Sequence, residues 1–174
     1  SIGEWLRTQG HDVHYLVGKT ARTDIVGIHS LSKNMAVRFN GNRMSMPLPA
    51  SRQAIRALLE REHFDVLHVQ LPYSPWLAAR IISAAGPQTA IVGTFHIVPH
   101  TFSVKAASRL LAAWTRSTLK RFDEIVSVSS AAQAFAKKTF KLKSEVLPNV
   151  IDYQRFWTAK PFEKYNDKLT VVFL

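Results

Sequence analysis

The sequence contains no cysteine. That absence removes thiol nucleophiles, disulfide scaffolds, redox pairs and every cysteine-ligated zinc fold, and it fits a reducing compartment. Glycine is scarce, seven in 174 residues, and none stands in a GxGxxG array or in a GxxxxGK array followed by Ser or Thr. Neither a dinucleotide fingerprint nor a P-loop is therefore visible. HExxH, GxSxG and DxD are missing too, so metal-assisted hydrolysis, Ser-His-Asp catalysis and a metal–diphosphate site have no support in the chain. No apolar run approaches the roughly 18 residues that span a bilayer. Acidic residues are also few. Twelve Asp and Glu face 23 Lys and Arg, giving a formal charge of +11 and a pI near 10.3. The expected partners are anionic: a nucleic acid, an anionic membrane surface or a phosphorylated small molecule. Charge alone does not separate these.

What is present describes a globular protein, 47% apolar and 20% charged, of a length that buries roughly 70% of its unfolded surface as one domain. Residues 2–9 place Ile2, Trp5 and Leu6 at one-turn spacing ahead of Gly10, which predicts a helix with a glycine stop. Residues 11–17 alternate around Val13, Tyr15 and Val17 and predict a strand. Together they read as the second half of a βαβ unit, so a further strand and loop are expected ahead of residue 1. Residues 25–40 offer two short strands, 25–29 and 36–39, with no helix between them, either an antiparallel excursion or a loop.

From there a regular alternation begins. Helices are predicted at 51–63, with Ser51 as N-cap, at 75–85, closed by Gly86-Pro87, at 103–121 and at 131–139. Strands are predicted at 64–69, 89–95, 124–128 and 145–147. Strands nearly continuous in apolar residues, each followed by a helix, indicate a doubly wound, Rossmann-like α/β fold with a parallel sheet. The domain is expected to span 1–157, with a polar linker at 158–168 and, in LTVVFL at 169–174, the first strand of a further domain.

Ligands of an open α/β sheet bind beyond the carboxyl ends of its strands. Three segments fall there: His68-Val69-Gln70-Leu71-Pro72, Thr94-Phe95-His96 and Ser127-Val128-Ser129-Ser130. The plainer readings make His68 a structural group, the serines helix caps and Pro148-Asn149 a turn.

The order FDVLHV, LPYSP, TFH, a long helix, FDEIVSVSSAA and LPNVIDYQRF resembles the N-terminal domain of the retaining family-four glycosyltransferases of GT-B fold, and within them the phosphatidylinositol mannosyltransferases. The resemblance covers residues 2–157. It implies that His96, in the TFH motif, lies in the cleft beside the donor sugar as the catalytic candidate; imidazole suits hydrogen bonding to a sugar hydroxyl. His68 and Pro72 match an HxHEP-like stretch, in which Gln70 and Leu71 replace the second His and the Glu. His68, Gln70, Pro72 and Ser129 are thus the acceptor-side candidates. Pro148, Asn149 and Asp152 match a PNGVD stretch at the domain crossover, with Asn149 and Asp152 as interdomain residues. Val150 stands where Gly is usual, which predicts a turn that avoids positive φ or is strained there.

At about 100° per residue, Lys105, Arg109, Arg116 and Lys120 fall within an arc of about 60°, with Ala107, Leu110, Leu111 and Trp114 opposite. The expectation is an amphipathic helix packing its apolar face on the sheet and turning a cationic stripe to an anionic membrane, extended by Arg52 and Arg56. The alternative is a solvated face. The resemblance implies hexosyl transfer, of mannose in the manner of the phosphatidylinositol mannosyltransferases, from a nucleotide sugar to a sugar or lipid acceptor, at the cytoplasmic face of a membrane. The resemblance also implies no metal, since such enzymes leave the leaving-group charge to side chains and a helix N-terminus; no cofactor beyond the nucleotide-sugar substrate and no nucleic acid are expected. Two other readings stand beside this one: a non-catalytic basic Rossmann-like module that binds nucleic acid, and a GT-B enzyme with a soluble sugar acceptor.

Overall fold

The computed structural model describes residues 2–39, 42–96, 98, 102–151, 153–158 and 160. Helix α1 (Ile2–Thr8) ends as expected at Gly10, which takes φ +88°. The Gly10 N–H donates to the Arg7 carbonyl and the His11 N–H to the Leu6 carbonyl, the paired bonds of a Schellman stop. Strand β1 (Tyr15–Gly18) pairs in parallel with β2 (Ile28–Ser32). An antiparallel hairpin follows, β3 (Asn34–Phe39) with β4 (Asn42–Pro47). The excursion expected in this region is therefore the hairpin, whereas β2 belongs to a parallel pair.

Helix α2 (Arg52–Glu62) carries the predicted cap, with the Ser51 hydroxyl accepting from the Ala54 N–H at 3.4 Å. It buries Ile55 and Leu58 one turn apart and closes at His63, in left-handed conformation. Strands β5 (Val66–Val69), β6 (Ala90–Phe95), β7 (Glu124–Ser127) and β8 (Glu145–Val146) form a four-stranded sheet, all parallel and in sequential order. The connections are α3 (Leu77–Ala84), α4 (Phe102–Leu119) and α5 (Ser130–Phe135), the last running into a π-helical turn at Ala136–Phe140. Helix α6 (Tyr153–Trp157) ends the described part. The linker and strand expected at 158–168 and 169–174 lie outside the described residues, apart from positions 158 and 160.

Two apolar clusters hold this frame. One joins Ile55, Leu67, Leu77, Ile82 and Ile91; the other joins Phe95, Leu119, Ile125, Ala136 and Phe140. Phe122 packs against both. Each fully buried Ile contributes about 2 kcal/mol, so Ile55, Ile82 and Ile91, all 0% exposed, anchor α2, α3 and β6 together. Gly93 on β6 is required by the same packing, because a Cβ there would lie 2.8 Å from the Phe122 ring and 3.3 Å from Pro72. Asp123 ties the adjoining strands at their entry, its carboxylate accepting from the Ile91 N–H at 2.7 Å while its own N–H donates to the Ile91 carbonyl.

Helix α4 corrects the expected orientation. Leu110 and Trp114, expected against the sheet, are 76% and 67% exposed, and Ala107 is exposed with them. The buried face is Ser108, Thr115, Thr118 and Leu119. Small side chains let the helix approach α3 and the π-helical turn closely, and the Thr115 hydroxyl is satisfied within the helix by the Leu111 carbonyl at 2.8 Å. Apolar periodicity pointed to the wrong face because this contact is built from hydroxyl residues.

Candidate functional site

The carboxyl ends of β5 and β6 bring three predicted residues into one chain of hydrogen bonds. His68 is the third residue of β5, and its Nε2 lies 2.7 Å from the hydroxyl of Thr94, buried near the end of β6. Gln70, one residue past β5, reaches both imidazoles. Its Nε2 is 3.3 Å from His68 Nε2, and its Oε1 is 2.7 Å from Nε2 of His96, one residue past β6.

The amide fixes the polarity of this chain. An NH2 group only donates, so His68 Nε2 accepts from it, and the Thr94 hydroxyl donates to the same nitrogen. At the other end Oε1 only accepts, so His96 donates through Nε2–H and keeps Nδ1 as its acceptor nitrogen. Both rings are held neutral. Burial lowers the His96 pKa; burial, and then the neighbouring His96, lower that of His68. His96 is solvent-exposed and Thr94 is not. The arrangement is a buried hydroxyl, a bridging amide and an outward-facing neutral imidazole able to accept a proton or a hydrogen bond.

The other predicted residues take simpler places. Pro72 is completely buried, set against Gly93 beneath the loop that carries Gln70. Ser129 caps α5, its hydroxyl accepting from the Ala132 N–H at 3.2 Å. Ser127 is buried and shares a hydrogen bond with Ser144 at 2.7 Å. Asn149 is exposed in the segment after β8, while Asp152 lies outside the described residues. Val150 is 91% exposed and is not among the described non-glycine residues of positive φ, His63 and Lys141. The crossover thus avoids positive φ, the first of the two alternatives. Arg52 and Arg56 are exposed on α2, and Arg109, Arg116 and Lys120 on α4, with α3 in contact with both helices. The Lys105 side chain lies outside the described residues.

Gln70 was expected on the acceptor side, as a departure from the family pattern, but not as the residue that joins the two histidines; that role follows only from the parallel register that sets β5 beside β6. Tyr73 was also missed. Its ring stacks on Phe140 and meets Phe95 at a tilt of 43° below this loop, and burial pushes its pKa up to about 12. Two concavities, of about 220 and 530 Å³, sit at the opposite rim, around Thr89, Arg121 and Asp123 and around Arg56, His63 and Asp65. Among the described helices none is long and apolar enough to cross a membrane.

Comparison with known proteins places the chain in a family. The chain is 25% identical to a phosphatidyl-myo-inositol mannosyltransferase of Mycolicibacterium smegmatis, covering 99% of this chain and 44% of the relative. It is 28% identical to the protein of that name from Propionibacterium freudenreichii, over 86% of this chain and 40% of the relative. The Mycobacterium tuberculosis protein of that name is 25% identical, over 99% of this chain and 45% of the relative. The chain thus spans less than half the length of these relatives. The profile of Glycosyltransferase Family 4 matches residues 1–155, and the chain belongs to that family.

Proposed function

We propose that this chain forms the acceptor side of a retaining glycosyltransferase that moves a hexosyl group, mannosyl in the manner of its relatives, from a nucleotide sugar to a phosphatidylinositol-type lipid. The observation that carries this reading is the Thr94–His68–Gln70–His96 chain at the carboxyl ends of β5 and β6, where an open α/β sheet takes its ligands. His96 binds a hydroxyl of the transferring sugar through Nδ1, and Gln70 holds the ring in the tautomer that leaves that nitrogen unprotonated. As the family resemblance implies, the nucleotide and the basic groups that stabilise the departing diphosphate belong to a second domain; such groups are needed because charge builds on the diphosphate in the transition state. On this reading the 174 residues bind acceptor and do not transfer sugar by themselves.

The outer face of α4 supports a membrane location. Leu110 and Trp114 project from it with Arg109, Arg116 and Lys120 along one side, an amphipathic arrangement that suits an anionic interface. Arg52 and Arg56 on α2 extend the cationic surface.

The test is transfer from a panel of nucleotide sugars to phosphatidylinositol vesicles and to free sugars, by the protein that carries this chain and by its His96→Ala variant. Transfer to lipid is expected, with kcat/KM reduced about tenfold or more in the variant, as one positioned hydrogen bond requires. Wild-type rates in the variant remove His96 from the site, and transfer confined to free sugars replaces the lipid acceptor with a soluble one. Changing Arg109, Arg116 and Lys120 together to Glu is expected to weaken binding to anionic vesicles by about 100-fold or more, at about 1 kcal/mol per lost charge. Unaltered binding refutes the membrane face.

A further inference from the structure

A second histidine pair lies at the other end of the fold, away from the site above. His14 immediately precedes β1, His29 is the second residue of β2, and Glu62 is the last residue of α2. His29 Nε2 is 2.9 Å from His14 Nδ1, and Glu62 Oε2 is 3.8 Å from that same nitrogen. One donor atom from each of the three residues lies within 4.8 Å of the others. None of the three is exposed; the His14 and Glu62 side chains keep only 14% and 22% of their accessible surface.

The outward partners decide what this cluster lacks. His14 Nε2 faces the Asp12 carboxylate at 3.3 Å, and Nδ1 is the nitrogen turned inward to His29 and Glu62. Arg61 occupies Glu62 Oε1 through its Nε and Nη2, and this hydrogen bond lowers the Glu62 pKa, so Oε2 is an anionic acceptor. His14 Nδ1, His29 Nε2 and Glu62 Oε2 therefore converge on one point. A cation bound there takes one lone pair from each.

The surroundings hold the two imidazoles in place. Arg7 donates from Nη2 to the carbonyls of Val13 and Val26, at 2.6 and 2.5 Å, and so clamps the two segments that lead into His14 and His29. Gly27, at φ +72°, allows the close approach, since a Cβ there would lie 2.8 Å from the Val13 carbonyl and 3.2 Å from the His14 ring. The Phe64 ring meets His14 edge-on at 5.3 Å.

We propose that His14, His29 and Glu62 bind one divalent transition-metal ion of the zinc type, with Asp12 orienting His14 from behind. Tetrahedral zinc with bonds of about 2.0–2.1 Å sets its ligand atoms about 3.3 Å apart, and the spacings of 2.9 and 3.8 Å bracket that value. Two imidazoles and one carboxylate form a borderline-soft donor set that favours zinc over magnesium or calcium. The ion links the β1–β2 pair to α2 and so to the four-stranded sheet, a cross-link in a chain that has no cysteine to supply one.

Titration of the chain with Zn2+ and Co2+, read by calorimetry and by the visible spectrum of bound Co2+, tests this. One equivalent should bind, with a melting temperature that rises and saturates at one equivalent. His14→Ala and His29→Ala should each abolish that equivalent, Asp12→Asn should weaken it about tenfold, and a His68→Ala/His96→Ala double variant should retain it. No saturable binding by the wild-type chain, or binding that survives His14→Ala and His29→Ala, overturns the proposal. Should those variants not fold, anomalous scattering from zinc-soaked wild-type crystals decides: a peak between His14 and His29 supports the site, and none there refutes it.

Discussion

The fold carries two histidine pairs at its opposite ends, and they differ in what lies between the rings. At the carboxyl ends of β5 and β6, His68 and His96 do not touch; the Gln70 amide stands between them and gives each a complementary partner. Beside β1 and β2, His14 and His29 meet directly, with the Glu62 carboxylate alongside. An amide carries one donor end and one acceptor end, so it joins two neutral imidazoles and leaves an outward nitrogen for a substrate. A carboxylate only accepts, so the second cluster offers an anionic oxygen beside two ring nitrogens. On the two proposals above, a single neighbouring group decides between hydroxyl recognition at one end and cation binding at the other.

The largest expected effect comes from disturbing the first pair alone. Gly93→Ala places a methyl 2.8 Å from the Phe122 ring and 3.3 Å from Pro72, beneath the loop that positions Gln70. Overpacking of this kind costs about 2 kcal/mol, or roughly 4–8 °C in Tm for a domain of this size. Metal binding at His14 and His29 should persist in that variant. A joint loss would mean that the two ends of the fold are coupled.

The next substitution exchanges the character of the two sites. Gln70→Glu sets a carboxylate between His68 and His96, so the pKa of each is expected to rise by charge attraction, observable by NMR titration of the ring protons. With His96 then holding a proton on both nitrogens, sugar transfer should fall by about tenfold or more, equivalent to about 1.4 kcal/mol, and a second equivalent of Zn2+ should bind. Unchanged titration and activity would show that the bridging group does not set the behaviour of the rings.

Much of this frame was legible in the sequence, and the gaps have physical causes. Ser51 with Ile55 and Leu58 announced α2, and the apolar runs of β5, β6 and β7 left little choice. Strand β4 was missed because Asn42, Arg43 and Ser45 carry no strand preference, and its pairing comes wholly from β3. The Asn40-Gly41 dipeptide between the two strands was the available hairpin signal. Helix α4 was legible in extent and misread in rotation, because its buried face uses Ser108, Thr115 and Thr118 in place of Leu110 and Trp114. His96 and His68 were found through motifs. Their link through Gln70, and the meeting of His14 with His29, depend on parallel strand registers that join residues 26 and 15 positions apart, which local pattern does not encode.

Both pairs make stability fall in acid. His29, His68 and His96 all have pKa values lowered from 6.5, chiefly by burial. As pH falls through about 6.5 the unfolded chain takes up protons that the native chain resists, so stability present above that value is lost on the acid side. Urea unfolding at pH 7.5 and 5.5 should show the loss, and His29→Gln and His96→Gln should each reduce it. A slope carried entirely by one variant would show that only one pair is coupled to folding.

The smallest effect is expected at Tyr73, which forms part of the apolar floor of the first pair. Its ring lies 5.4 Å from both Phe95 and Phe140, and its buried hydroxyl has no hydrogen-bond partner among the described residues. Removing an unpaired buried hydroxyl while keeping the ring is neutral or stabilising by up to about 1 kcal/mol. Tyr73→Phe should therefore equal or exceed wild type in stability at pH 7. The alkaline side amplifies the difference. Burial raises the Tyr73 pKa from 10 to about 12, so above pH 10 the unfolded chain ionises first, and stability is lost progressively up to about pH 12. The phenylalanine variant has no proton to lose at this position, so its unfolding midpoint in urea should fall less between pH 9 and pH 11. If Tyr73→Phe instead destabilises at pH 7, the hydroxyl has a partner in the folded protein. If it lowers sugar transfer at unchanged stability, the hydroxyl reaches the substrate, and the floor beneath His68 and His96 is polar in use although it is apolar in its packing.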